Sequence, residues 1–186
     1  MRWICLILIS LFLSGGLIAQ NQKMTKEAKT EASQKKKAEK EAKIEQQFKA
    51  TDTLLTSRRF VLEAQFLRNN RGMRVDVIST LNFISIDSLL GTIQVGNPQR
   101  VGYNGVGGVT VQGRVINWKL EKDTKRKSFF LVMTIQANID IYDISMTIDY
   151  SGYASATLNG VNTGKLIFEG NLVPREKTSV FKGQSR

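Results

Sequence analysis

The chain has 186 residues, a length for one domain with one sizeable core, and its 41% hydrophobic and 23% charged residues make a folded rather than a disordered mixture. It contains no histidine and one cysteine, Cys5, which excludes Ser-His-Asp and Cys-His catalysis and zinc sites built from those ligands. The formal charge of +11 would suit nucleic acid in a cytoplasmic protein, but the N-terminus argues for export and so against that partner.

Residues 1–19 read as a secretory signal peptide: Arg2, then the apolar run Ile4–Leu13, then Ser14-Gly15-Gly16 and a small residue, Ala19, before the cut. The run is shorter than the roughly 20 residues a membrane span needs, so the mature chain is expected not to cross a membrane with a helix. Cys5 lies inside the apolar run, too early for a lipid-modified cleavage site, and cleavage leaves a mature chain without cysteine. The expected location is outside the inner membrane, periplasmic or envelope-associated. There an excess of positive charge meets lipid headgroups, lipopolysaccharide or acidic glycans, or serves only to keep the protein soluble.

Residues 20–56 are predicted as a Lys/Glu-rich helix, running from about Thr25 to about Leu55. Residues 21–50 hold nine lysines and five glutamates, with Glu31–Lys35, Glu39–Lys43 and Glu45–Lys49 as supporting i, i+4 pairs. The first half carries only alanines as apolar groups, so it is expected to be mobile, either a solvated spacer or a basic tether. The second half has Ile44, Phe48, Leu54 and Leu55 on a narrow stripe that should dock.

From residue 57 to 186 the apolar period becomes 2, as expected of a single β-rich domain. Phe60, Leu62, Ala64 and Phe66 share one face of the first strand, and Asn69–Gly72 is a turn. Leu81, Phe83 and Ser85 alternate with Asn82, Ile84 and Ile86. Leu89–Val95 follows, and then a long loop from Gly96 to Gly107. In the next strand Val109, Val111 and Val115 share one phase and Ile116, Trp118 and Leu120 the other, so a β-bulge is expected near Val115 or Ile116. That strand should end at Leu120, before a polar loop at Glu121–Lys125. Phe129 to Ala137, Tyr142 to Tyr150, Ala154 to Leu158 and Leu166 to Leu172 complete the series, with turns at Asn138–Asp140, Ser151-Gly152 and Asn159–Gly164, and Pro174 as terminator. About eight antiparallel strands in a meander should form a strongly curved sheet or closed barrel, with a β-sandwich as the alternative. A membrane barrel is disfavoured, because several strands are too short.

Several segments in this order resemble one Bacteroidetes family: Ser57–Ala64 after a Lys/Glu helix, Leu81–Ile84, Gly102–Gly108, Ile141–Ser145 and a terminal Val180–Gly183. The family is the one called domain of unknown function 4251. The resemblance covers nearly the whole mature chain and implies a small exported β-rich protein. It implies no activity.

No catalytic residue, metal site or cofactor is expected. Asp140 with Asp143, and Asp143 with Asp149, are the nearest approach to a carboxylate pair, but the strand face of Asp143 and Asp149 also carries Ser145 and Thr147 and reads as an ordinary wet face; Asn138, Asp140 and Asp143 lack the Gly-centred twelve-residue spacing of a calcium loop. The glycine run 102–108 leads into a strand, not a helix N-terminus, so it makes no phosphate cradle; positive φ or close strand approach explains it better. If the domain has a ligand mouth, Arg100, Tyr103 and Asn104 on this loop are its expected rim. Trp118 is expected in the core, with lining of a barrel cavity as the alternative. The expected role is a non-enzymatic envelope module, monomeric, binding an anionic envelope component or another envelope protein. The alternative is a lipocalin-like carrier of a small apolar or amphipathic ligand, which would need a partly empty interior. The bulky positions Phe60, Phe66, Phe83, Phe129, Met133 and Phe168 argue for a filled one.

Overall fold

The computed structural model describes residues 15–99, 105–161 and 164–185. The chain divides into two units, Met1–Lys43 and Ile44–Arg186. The predicted apolar run Ile4–Leu13 lies outside the described residues. The helix, α1, spans Gly15–Ser57, so it starts ten residues before the expected Thr25. No glycine or proline after Gly16 interrupts it, and good helix formers fill its length. In the first unit residues 28–43 are all exposed.

The second unit contains α1 from Ile44 onward and nine strands: β1 (Arg59–Asn69), β2 (Arg74–Asp76), β3 (Phe83–Asp87), β4 (Leu90–Val95), β5 (Val109–Asp123), β6 (Ser128–Ala137), β7 (Ile141–Asp149), β8 (Tyr153–Gly160) and β9 (Gly164–Pro174). Every pairing is antiparallel. The meander β1-β3-β4-β5-β6-β7-β8-β9 closes on itself through β1–β9 pairing into an eight-stranded barrel, and the short β2 adds to the far half of β1. The β-sandwich alternative is thereby excluded. The strand the sequence did not reveal is β2, three residues long and exposed throughout. β5 runs three residues past Leu120, to Asp123, because Glu121, Lys122 and Asp123 pair with Phe130, Phe129 and Ser128.

Alternating side chains fill the barrel, with Phe60, Leu62, Ile84, Ile86, Phe129, Leu131, Met133, Ile144, Met146, Ile148 and Phe168 in one buried cluster. Two expected inward residues are not there. A bulge in β1 between Ala64 and Phe66 shifts the phase, so Leu67 turns inward and Phe66 outward, where the Arg74 guanidinium stacks on its ring at 3.4 Å. Phe83 is buried on the outer face of β3, opposite the expected phase, and the inward residues are Ile84 and Ile86. The bulge in β5 lies between Ile116 and Lys119, with Asn117 at φ 53°, one residue beyond the expected place. Trp118 is half-buried rather than in the core: it lies 6.2 Å from Phe60, and Arg58 covers its ring at 4.7 Å.

The last turns of α1 close one end of the barrel. Phe48 stacks on Phe129 at 4.7 Å, Leu55 is fully buried, and the Thr51 hydroxyl donates to the Tyr150 carbonyl at 3.0 Å. Lys122 pairs with Asp52, and Lys127 with Glu45 at 2.7 Å; that hydrogen bond holds the Glu45 carboxyl below its usual range. The helix stops where Arg58 takes φ 52° and its N–H returns to the Leu55 carbonyl.

After Pro174 the chain makes one 3-10 turn, Arg175–Lys177, and crosses the outside of β3, β4 and β5. This covers Phe83, Ser85, Thr92 and Gln94, which face away from the barrel interior and are nevertheless buried. Gln94 holds the tail: its amide donates to the Leu81 and Phe181 carbonyls at 3.1 and 2.7 Å and accepts from Thr110 Oγ1 and the Gly183 N–H at 2.9 and 2.8 Å.

Candidate functional site

The barrel end opposite α1 is built differently. The strand ends Val95, Val109 and Gly164 lie there, and no helix packs over them among the described residues. Inside this end is an apolar cavity of about 190 Å³, lined by Ile93 and Val95 of β4, Val109 and Val111 of β5, Tyr142 of β7, Leu158 of β8, and Gly164 and Leu166 of β9. Alternation places these side chains inward, and short or branched residues leave the space: Val, Ile and Gly here, Phe and Met deeper down. The floor is tight. A Cβ on Gly91 would come within 2.5 Å of Ile135 Cδ1, so below this level side chains reach the backbone.

Tyr142 brings the cavity its one ionisable group. It is 3% exposed, and burial, aided by the nearby Asp140 carboxylate, pushes its phenol above the usual 10.0. The three acids singled out in the sequence do not converge on the cavity. The Asp140 carboxylate accepts the Ile141 N–H at 2.8 Å, Asp143 accepts from Thr134 Oγ1 at 2.8 Å, and Asp149 accepts from the Ser151 N–H and hydroxyl and the Tyr153 N–H. Each is used by local structure. Among the described residues no cluster of three metal-ligating side chains occurs.

Arg100, Tyr103 and Asn104 lie outside the described residues. Their flanks are at the cavity end: Val95 and Val109 line the cavity on either side of the loop, and the Asn97 N–H donates to the Val106 carbonyl at 2.9 Å. The glycines around them have conformational causes. Gly105 and Gly107 have φ of 75° and 76°, and a Cβ on Gly108 would stand 2.0 Å from the Val95 carbonyl oxygen. The cavity-lining valines and Ile93 went unnoticed as a site in the sequence, since an apolar inward residue beside empty space reads the same as one beside a neighbour.

The model of the family described as domain of unknown function (DUF4251) matches residues 42–172. This chain belongs to that family. A solved structure similar to it is the crystal structure of a DUF4251 family protein from Bacteroides eggerthii DSM 20697. That protein is 31% identical, with a TM-score of 0.61, over 75% of this chain and 95% of that one. Among curated proteins nothing matches. The DUF4251 match begins two residues before Ile44, the first partly covered residue of α1 among those described, and so takes in the closing helix and nearly the whole barrel. Among the described residues of this DUF4251 chain, no helix is long and apolar enough to cross a membrane.

Proposed function

We propose that this DUF4251 chain is an exported, non-enzymatic binding module of the bacterial envelope, and that the open barrel end is its binding end. The apolar cavity of about 190 Å³ carries the reading. A dry apolar cavity of about 150 Å³ is enough for a benzene-sized group, whereas enclosing a drug-sized molecule takes roughly 300 Å³ or more. The site therefore suits one apolar end group of a larger envelope component: a ring or the end of a single alkyl chain. The same size weighs against a lipocalin-like carrier, since the barrel below the cavity is filled by Met133, Phe129 and Phe168. The non-enzymatic part rests on the lack of histidine and on the local engagement of Asp140, Asp143 and Asp149. Export rests on Arg2 and Ile4–Leu13.

The test is methyl NMR, titrating a single-chain detergent below its micelle concentration. Shifts should be confined to Ile93, Val111, Leu158 and Leu166, and Val111→Trp, which fills the space, should remove them. Shifts spread over the outer face, or none, would refute the assignment. Native mass spectrometry of protein purified from its own envelope separates the carrier reading: a whole small molecule retained at one per chain would favour it. Intact mass should show a chain starting at Gln20; one retaining Met1 would defeat export by cleavage.

A further inference from the structure

We infer that the chain self-associates through the free edge of β2, forming a twofold pair with a second copy of itself. The inference is independent of what the cavity binds. β2 pairs with β1 on one side only. The Asn69 N–H donates to the Met73 carbonyl at 3.0 Å and the Val77 N–H to the Gln65 carbonyl at 2.9 Å. Backbone groups alternate along a strand, so those of Val75 also face β1, and those of Arg74 and Asp76 point away from it. All three residues of β2 are exposed. Among the described residues, a cleft of about 530 Å³, lined by Val75, Asp76 and Val77 on one side and by Val95 to Gln99 on the other, leaves the edge accessible.

The sequence of this edge, Arg74-Val75-Asp76, complements itself. When two copies run antiparallel about Val75, each Arg74 stands opposite the partner copy's Asp76. The outward N–H and C=O of Arg74 then meet those of Asp76 as a hydrogen-bonded pair, twice by symmetry. Opposite charges fall side by side on the same outer face, an arrangement that favours cross-strand pairing. Asp76 has no ion-pair partner among the described residues, and Arg74 reaches Glu169 through Nε at 2.9 Å. Apolar surface surrounds the axis: Met73, Val75 and Ile78 are 64%, 47% and 48% exposed. A three-residue edge makes a small interface, so the pair should be weak, forming at roughly 10 μM to 1 mM. This proposal departs from the sequence expectation of a monomer in that concentration range.

Sedimentation velocity of the chain across that range should show a rise towards dimer mass. Asp76→Arg puts like charges opposite each other without removing an intrachain contact and should weaken association about tenfold. Arg74→Asp combined with Asp76→Arg restores opposite signs and should recover it. Because the first of these changes also removes the Glu169 and Phe66 contacts, a second measurement avoids it. With Cys5 replaced by Ser, Val75→Cys places two thiols at a non-hydrogen-bonded site on the axis, where Cα separations suit a disulfide. Oxidation should crosslink Val75→Cys and not the equally exposed Ile78→Cys. A monomer at every concentration, an Asp76→Arg variant that associates like the parent, or equal crosslinking of the two cysteines would overturn the inference.

Discussion

The two ends of the barrel use one strand alternation for opposite results. At the end closed by α1, Phe48, Leu55, Phe60 and Phe129 are almost wholly buried, and short turns join β3 to β4, β5 to β6 and β7 to β8 there. At the other end smaller inward residues, Ile93, Val95, Val111 and Leu158, surround space. The difference teaches that barrel closure alone does not fix whether an interior is core or pocket. Side-chain volume at each level does, together with whether another element covers the end.

The comparison breaks if the closed end can lose volume cheaply. Phe129→Ala should cost about 3–5 kcal/mol, since it removes both the ring and its partner for Phe48. Leu166→Ala, at a half-buried position beside the existing cavity, should cost about 1 kcal/mol. Urea midpoints of the two variants measure the contrast; equal losses would mean the open end is as tightly packed as the closed one.

The side wall gives the next largest effect. Gln94 is fully buried, with four partners, and Gln94→Leu would leave the Phe181 carbonyl and the Gly183 N–H without theirs. A loss of about 1–3 kcal/mol is expected, and amide exchange at Gly183 should quicken more than at Met146. Equal exchange at both sites would show that the tail is held by something other than Gln94.

How far the sequence carried can be read from single strands. β7 was plain, because Tyr142, Ile144, Met146 and Ile148 face the core and Asp143, Ser145 and Thr147 do not. β3 was not: with the tail over its outer face, Phe83 and Ser85 are buried along with Ile84 and Ile86, and period 2 has nothing to separate. Phe66 was misplaced because a bulge adds a residue without leaving a composition signal, whereas in β5 the apolar phase itself switched and gave the bulge away. β2 is short, exposed and polar at two of three positions, so only its pairing defines it. The candidate rim fell on the loop between β4 and β5, at the cavity end, but the lining itself was hidden among ordinary core residues.

Tyr142 sharpens the comparison through pH. Its folded-state pKa is raised above the usual 10.0 by burial and then by Asp140. The unfolded chain therefore loses this proton first as pH rises, so the stability the neutral phenol contributes is complete below about pH 10 and is lost as pH climbs through the higher folded value. Tyr142→Phe should flatten that part of the alkaline decline in melting temperature and leave the curve below pH 9 parallel to the parent. An unchanged alkaline slope would place the phenol in a wetter setting than the cavity wall provides.

The smallest expected effect marks where the closing helix begins. Among the residues whose burial is described, 28–43 are exposed and Ile44 is the first partly covered one, so deletion of residues 21–43 should change stability by less than about 0.5 kcal/mol. The same deletion tests whether the lysines bind anything. Each lysine close to an anionic membrane contributes about 1 kcal/mol, screened over about 8 Å at physiological salt. If the segment is a tether, the deletion should weaken binding to anionic vesicles or lipopolysaccharide, and added salt should do the same to the intact chain. The four glutamates among the eight lysines of residues 21–43 dilute that field, which favours a solubilising role over a dedicated tether. Vesicle binding by the intact chain that is absent or indifferent to salt would leave solubility as the role of this charge. A melting temperature lowered by the deletion would instead extend the closing helix back beyond Ile44.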